Sequence, residues 1–231
     1  LELILNCANI LYQTNLYYVD EDLEGYLKEI ANKMEILSPI EKKTDVIFFY
    51  DGFGLNSRGL AQIYIKALCQ IKKVIYITYE DCKENIPDIQ NIINKNDGRI
   101  LYINRSQKKY TEQILQLCSF ASEFKPHDFF FYSFPNDVVG VTSLNILEGK
   151  VTRYQINLTD HAFWLGARCI DKCIEFRDYG ANVSVKYRGI SKNIIAKLPF
   201  YPIINKDIPF QGFPFRIVNG QKVVFSGGAL Y

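Results

Sequence analysis

Short, continuous apolar runs with no alternating polar face constrain this chain more than anything else in it. Asp45-Val46-Ile47-Phe48-Phe49-Tyr50, Lys73-Val74-Ile75-Tyr76-Ile77-Thr78, Arg99-Ile100-Leu101-Tyr102-Ile103 and Asp128-Phe129-Phe130-Phe131-Tyr132-Ser133 are each too short for a stable helix. An unbroken apolar run of strand length is the mark of a strand covered on both sides, which occurs where helices flank a parallel sheet. Helix-period segments fill the gaps: Leu60 to Ile71, Ile86 to Asn94 opening at Pro87, Tyr110 to Phe124, and Val138 to Leu147. Strand and helix in strict alternation imply right-handed crossovers. The expected fold is therefore α/β, a Rossmann-like parallel sheet with helices on both faces. Arg153 to Leu158 is the expected fifth strand, and Lys172 to Arg177 a candidate sixth.

Ahead of the first strand, Leu1, Ile4, Leu5, Ala8 and Leu11 recur at helical spacing, and Leu23, Leu27, Ile30, Ala31 and Met34 resume it after Asp20. Residues 1–44 are accordingly an N-terminal helical segment, ended by Ser38-Pro39. Residues 45–220 form the α/β domain. Lys222 to Phe225 followed by Ser226-Gly227-Gly228 reads as a new strand and glycine turn, so 221–231 is the start of a further domain or a last strand.

Composition removes several function classes. Hydrophobic residues make up 48% of the chain, enough for a full core, and the formal net charge is +2 with no Lys/Arg-rich block. That argues against nucleic-acid binding by charge. No apolar run is long enough to span a bilayer. The six cysteines are scattered without a CxxC pair, the pattern of buried reduced thiols, so no metal site and a cytoplasmic location, at most at the inner face of a membrane, are expected.

In open parallel sheets, ligands gather at the carboxyl ends of the strands. One of the two histidines falls there. Tyr154-Gln155-Ile156-Asn157-Leu158-Thr159-Asp160-His161-Ala162-Phe163-Trp164-Leu165-Gly166 delivers an Asp-His pair to the end of the fifth strand, with a helix expected from Ala162. His161 is a candidate base because imidazole exchanges protons near neutral pH, with Asp160 as its neighbour. Thr159 or Asp160 would equally serve as an N-cap for that helix. His127, before the fourth strand, belongs to the opposite edge and is structural.

Two loops complete the candidate rim. Asp51-Gly52-Phe53-Gly54-Leu55-Asn56-Ser57-Arg58-Gly59 matches neither a dinucleotide fingerprint nor a P-loop. Gly52, Gly54 and Gly59 still permit close backbone approach, and Arg58 stands where helix N–H groups are free for an anion. The plainer alternative is a tight turn with a solvated arginine. In Ser133-Phe134-Pro135-Asn136-Asp137, Asn136 and Asp137 are ligand contacts or caps of the next helix. Arg168, Asp171, Glu175, Arg177 and Asp178 form a mixed-charge cluster that reads mostly as a solvated face or exposed salt bridges.

The order of these pieces resembles a known family. A glycine-containing first loop, then Thr159-Asp160-His161-Ala162-Phe163-Trp164-Leu165-Gly166, Cys169-Ile170-Asp171-Lys172-Cys173-Ile174-Glu175-Phe176-Arg177, Leu198-Pro199-Phe200-Tyr201-Pro202 and a closing strand with Gly-Gly are similar to the N-terminal domain of a GT-B glycosyltransferase. More loosely, they resemble the branch holding O-GlcNAc transferases and bacterial cytosolic N-glycosyltransferases. The resemblance covers Asp45 to Tyr231. It implies two Rossmann-like lobes, the N-terminal one holding a saccharide, lipid-linked or protein acceptor and the C-terminal one a nucleotide-diphosphate sugar, with no metal or other cofactor. His161 would face the cleft, Gly52, Gly54, Arg58 and Gly59 would line it, and Gly227 and Gly228 would open the loop to the donor phosphates. The donor-binding residues would lie beyond Tyr231, so this stretch alone is expected to be inactive. The alternative is a flavodoxin-like or receiver-like module binding a small anion or a protein partner.

Overall fold

The computed structural model describes residues 1–36, 39–40, 44–55, 60–106, 108–199 and 209. Among these residues, seven parallel strands form one sheet in the order β3-β2-β1-β4-β5-β6-β7. They are β1 (Val46–Asp51), β2 (Lys73–Tyr79), β3 (Arg99–Ile103), β4 (Asp128–Tyr132), β5 (Thr152–Ile156), β6 (Lys172–Glu175) and β7 (Ile195–Lys197). The helices are α1 (Glu2–Thr14), α2 (Glu21–Lys33), α3 (Leu60–Leu68), α4 (Pro87–Lys95), α5 (Tyr110–Phe124), α6 (Val138–Ile146) and α7 (Asp178–Lys186). The order 3-2-1-4 places the reversal of winding between β1 and β4, the Rossmann-like arrangement, and differs from the 2-1-3 start of flavodoxin-like sheets.

The apolar runs are continuous because both faces of the sheet are packed. Phe48 and Tyr50 of β1, Ile75 and Ile77 of β2, and Phe129 and Phe131 of β4 point into one core. Ile47 and Phe49, Val74 and Tyr76, and Phe130 and Tyr132 point into the other. Register keeps like with like: Phe48 lies opposite Ile75 and Phe129, and Tyr50 opposite Ile77 and Phe131. Leu117 and Ala121 of α5 and Val138, Val141 and Leu144 of α6 complete the first core. Leu60, Ala61, Ile65 and Leu68 of α3 and Ile89 and Ile93 of α4 complete the second. Ile4 and Ala8 of α1 and Leu23 and Leu27 of α2 lie in the first core too, so the N-terminal helices are built into the same layer as α5 and α6. Asp20 caps α2 by accepting the Leu23 N–H at 3.0 Å.

His127 is at the amino edge as expected. Its N–H donates to Val46 O at 2.8 Å and its carbonyl accepts from Thr152 N at 2.9 Å, stitching β1, β4 and β5 together.

Three details depart from the sequence reading. No helix follows His161: residues 157–171 are irregular. Phe163, Trp164 and Leu165 are all buried, and the backbone here bonds to other elements in place of a helical ladder: Leu165 N–H donates to Pro135 O and Gly166 N–H to Glu24. The polar cluster after His161 is exposed only in part: Arg177 and Asp178 face solvent in salt bridges, whereas Glu175 is fully buried and Asp171 clamps buried Arg153 through Nε–Oδ2 at 3.0 Å and Nη2–Oδ1 at 2.9 Å. Finally, α7 and β7 were not expected. The helix holds Gly180 and valines of weak helix propensity, and the strand is three residues long with an exposed lysine.

Candidate functional site

All strands run parallel, so their carboxyl ends share one rim, and the crevice between β1 and β4 opens there. A cavity of about 300 Å³ lies at this rim, between the ends of β2 and β4 and the start of α5. Tyr79 at the end of β2, Arg105 after β3, Gln113 of α5, and Phe134, Asn136 and Asp137 of the β4–α6 loop contribute to its wall.

Under that wall runs a hydrogen-bonded relay. The Tyr79 and Tyr50 hydroxyls are 2.8 Å apart, and Tyr50 Oη donates to Asp137 Oδ2 at 2.8 Å. Ser133 Oγ donates to the same oxygen at 2.5 Å. Asp137 Oδ1 accepts the Gly140 N–H at 2.8 Å, making Asp137 the N-cap of α6. Burial pushes the Asp137 carboxyl above the usual range, while these donors pull against it. The cap therefore falls to Asp137, and Asn136 is left to the cavity, where its Nδ2 donates to Asn9 Oδ1 at 2.6 Å.

The first glycine loop is small for internal reasons. A Cβ on Gly52 would stand 1.8 Å from Ser133 Oγ, and one on Gly54, at φ +56°, would stand 2.4 Å from Cys82 Cβ. Protein atoms already occupy the space that those glycines leave open. Asp51 is equally committed: its Oδ1 accepts N–H groups of Phe53 and Gly54 at 2.9 and 3.0 Å, and Tyr76 Oη donates to Oδ2 at 2.7 Å. Arg58 and Gly59 lie outside the described residues, as do Gly227 and Gly228 and the boundary at 220–221.

His161 projects from the rim with 61% of its side chain exposed. From Asp160 to Ala167 it is the exposed residue among buried ones. Its Nδ1 is 3.5 Å from Asp160 Oδ1, an electrostatic contact and not a tight hydrogen bond. Asp160 is principally held by Arg177, through Nε–Oδ2 at 2.6 Å and Nη2–Oδ1 at 3.0 Å. Those bonds hold the Asp160 carboxyl below its ordinary value. Neither residue lines the rim cavity, but the loops are joined: Leu165 N–H donates to Pro135 O at 2.7 Å.

One determinant of this rim had no sequence signal. Glu24 of α2 accepts N–H groups from Gly166, Ala167 and Arg168 at 2.7, 3.1 and 3.3 Å. Arg168 in turn pairs with Glu21, its Nε standing 3.0 Å from Oε2. In sequence, Glu24 is one acid in an acidic first turn of a helix; its partners are more than a hundred residues away. Among the described residues, no group of three His, Cys, Asp or Glu side chains is placed to hold a metal ion, and no helix is long and apolar enough to cross a membrane. All six cysteines are free.

Comparisons with protein-family models, with curated proteins and with solved structures give no match.

Proposed function

We propose that this chain is the acceptor-side domain of a GT-B glycosyltransferase, moving a sugar from a nucleotide-diphosphate donor to an acceptor hydroxyl or amide. The observation that carries the reading is an exposed imidazole on a loop held at the carboxyl rim, bonded through Leu165 and Pro135 to the β4–α6 loop that walls the rim cavity. Tyr79, Phe134, Gln113, Asn136 and Arg105 give that cavity aromatic surface and planar polar groups together. Such a lining suits a sugar ring, which has both an apolar face and a belt of hydroxyls.

In this scheme His161 removes the proton from the acceptor as its oxygen or nitrogen bonds to the anomeric carbon. The bond from that carbon to the diphosphate breaks, and the diphosphate departs with the electron pair. Positive charge grows at the anomeric carbon and negative charge on the leaving group. The donor and its phosphates would sit on a second lobe. The strand order weighs against the flavodoxin-like alternative, and the full commitment of Asp51 to its own loop weighs against the receiver-like one.

The test uses the full-length protein, with a panel of uridine- and guanosine-diphosphate sugars and mixed saccharide acceptors. His161→Ala is expected to lower transfer on the order of 100-fold or more, the usual contribution of a positioned general base. Unchanged turnover in that variant removes His161 from the chemistry. A wild-type protein that neither binds nor uses any of these donors removes the glycosyltransferase reading itself.

A further inference from the structure

We propose that Arg188 is the positioning residue of the His161 loop: one buried guanidinium gathers the carbonyls on both sides of His161 and fixes the direction in which the imidazole leaves the rim. The meaning of this for catalysis rests on the glycosyltransferase reading, whereas the restraint on the loop does not.

Arg188 follows α7 and is 0% exposed. Its Nη2 donates to Thr159 O at 2.9 Å, Asp160 O at 3.3 Å and Ala162 O at 2.6 Å. The loop has no helical or strand ladder here, so these carbonyls would otherwise need water or another donor. Nη1 donates to Ser184 Oγ at 3.1 Å, and Ser184 Oγ donates to Glu175 Oε1 at 2.5 Å. Asn157 Nδ2 donates to that same Glu175 oxygen at 2.9 Å, while Asn157 Oδ1 accepts the Thr159 N–H at 3.0 Å. The bonds form a closed circuit from β5 through β6 and α7 back to the loop. The guanidinium is also sandwiched, its central carbon 5.1 Å from the ring centre of Tyr18 and 5.1 Å from that of Trp164.

This arrangement is chemically particular. Burying a guanidinium carries a heavy desolvation penalty, and an apolar residue of similar size would pack there more easily. What an apolar residue lacks is a planar fork of donors, one arm meeting the loop carbonyls and the other Ser184 Oγ. Lysine lacks the fork as well. With Arg188 holding the backbone and Arg177 holding the Asp160 side chain, the exposed His161 is anchored on both flanks.

The experiment is chymotryptic cleavage of the full chain, with the cut bonds identified by mass spectrometry. Phe163 and Trp164 are buried in the loop and are cut only when it opens. Arg188→Ala is expected to accelerate cleavage after Phe163 or Trp164 on the order of 100-fold, the effect of losing charge-assisted hydrogen bonds, with cleavage after Phe129 or Phe131 of β4 unchanged. Millimolar ethylguanidinium should restore protection to that variant, and ethylammonium should not; general loss of packing would respond to neither. Should Arg188→Ala not fold, Arg188→Lys is read the same way. Wild-type protection of the loop in Arg188→Lys, or cleavage that rises equally in β4 and ignores ethylguanidinium, overturns the proposal. In a transfer assay Arg188→Lys should lower kcat and leave the donor KM unchanged. Loop opening in Arg188→Lys together with normal transfer by His161→Ala would retain the positioning role and discard the base.

Discussion

The Glu24 carboxylate, on the second helix, accepts the backbone N–H of Gly166 at 2.7 Å, joining segments 142 residues apart. Three successive N–H groups make an anion-binding turn in the loop beyond His161, and the protein fills it with its own acid. Burial raises the Glu24 pKa to about 7, and the three amide bonds oppose that rise without cancelling it.

A pH dependence follows. The folded pKa lies above the unfolded one, so the native state holds an extra proton between about pH 4.5 and pH 7. The stability this group contributes is present below that window and lost as pH rises through it. The shift corresponds to roughly 3 kcal/mol. Urea denaturation at pH 5 and pH 8 should show a smaller difference in Glu24→Gln than in the wild type. An identical difference in both proteins would exclude Glu24 as the source.

Two glycine substitutions should separate close approach from open space. Gly52→Ala drives a methyl group against Ser133 Oγ and disturbs the Ser133–Asp137 bond. Overpacking of this kind destabilises by about 1–3 kcal/mol, a fall of several degrees in Tm for a chain of this size. Gly25→Ala meets nothing within 4 Å inside α2 and should raise Tm slightly through helix propensity. Equal thermal midpoints for the two variants would contradict the packing argument.

Removing one member of a buried ion pair should cost far more than breaking an exposed one. Asp171→Ala leaves the Arg153 guanidinium, whose side chain is 5% exposed, with only the longer 3.9 Å carboxylate contact to Glu148, and is expected to destabilise by about 3 kcal/mol. Lys28→Ala breaks an exposed contact to Glu148 and should change stability by less than about 1 kcal/mol. Chemical denaturation of both variants checks the ranking.

His161→Ala should leave stability within about 0.5 kcal/mol of the wild type, since most of the ring faces solvent. Thermal melting measures this directly. A large drop would mean that the ring supports the fold and would undermine its assignment as a free base.

The sheet was legible because burial on both faces leaves a local record. Phe48-Phe49-Tyr50 and Phe129-Phe130-Phe131 are apolar without alternation since each neighbour faces a different core. Pro87 at the start of α4 and the limits of β3 and α5 were local signals of the same kind. The segment after His161 is not legible in the same way, because a buried irregular loop and a buried helix have the same apolar content. Phe163, Trp164 and Leu165 are apolar because the irregular loop is buried, and periodicity carries no label for that case.

By itself, then, the amino-acid order determined a parallel sheet sandwiched by helices and put His161 at its carboxyl rim, because strand length, two-sided burial and chain direction are written in neighbouring residues. Only tertiary structure decided that Asp160 serves Arg177, that Glu24 fills a distant turn, and that Arg188 lies buried beneath the His161 loop. Charged side chains look alike along a sequence; their partners are chosen by how separate elements pack, and burial then makes those choices count.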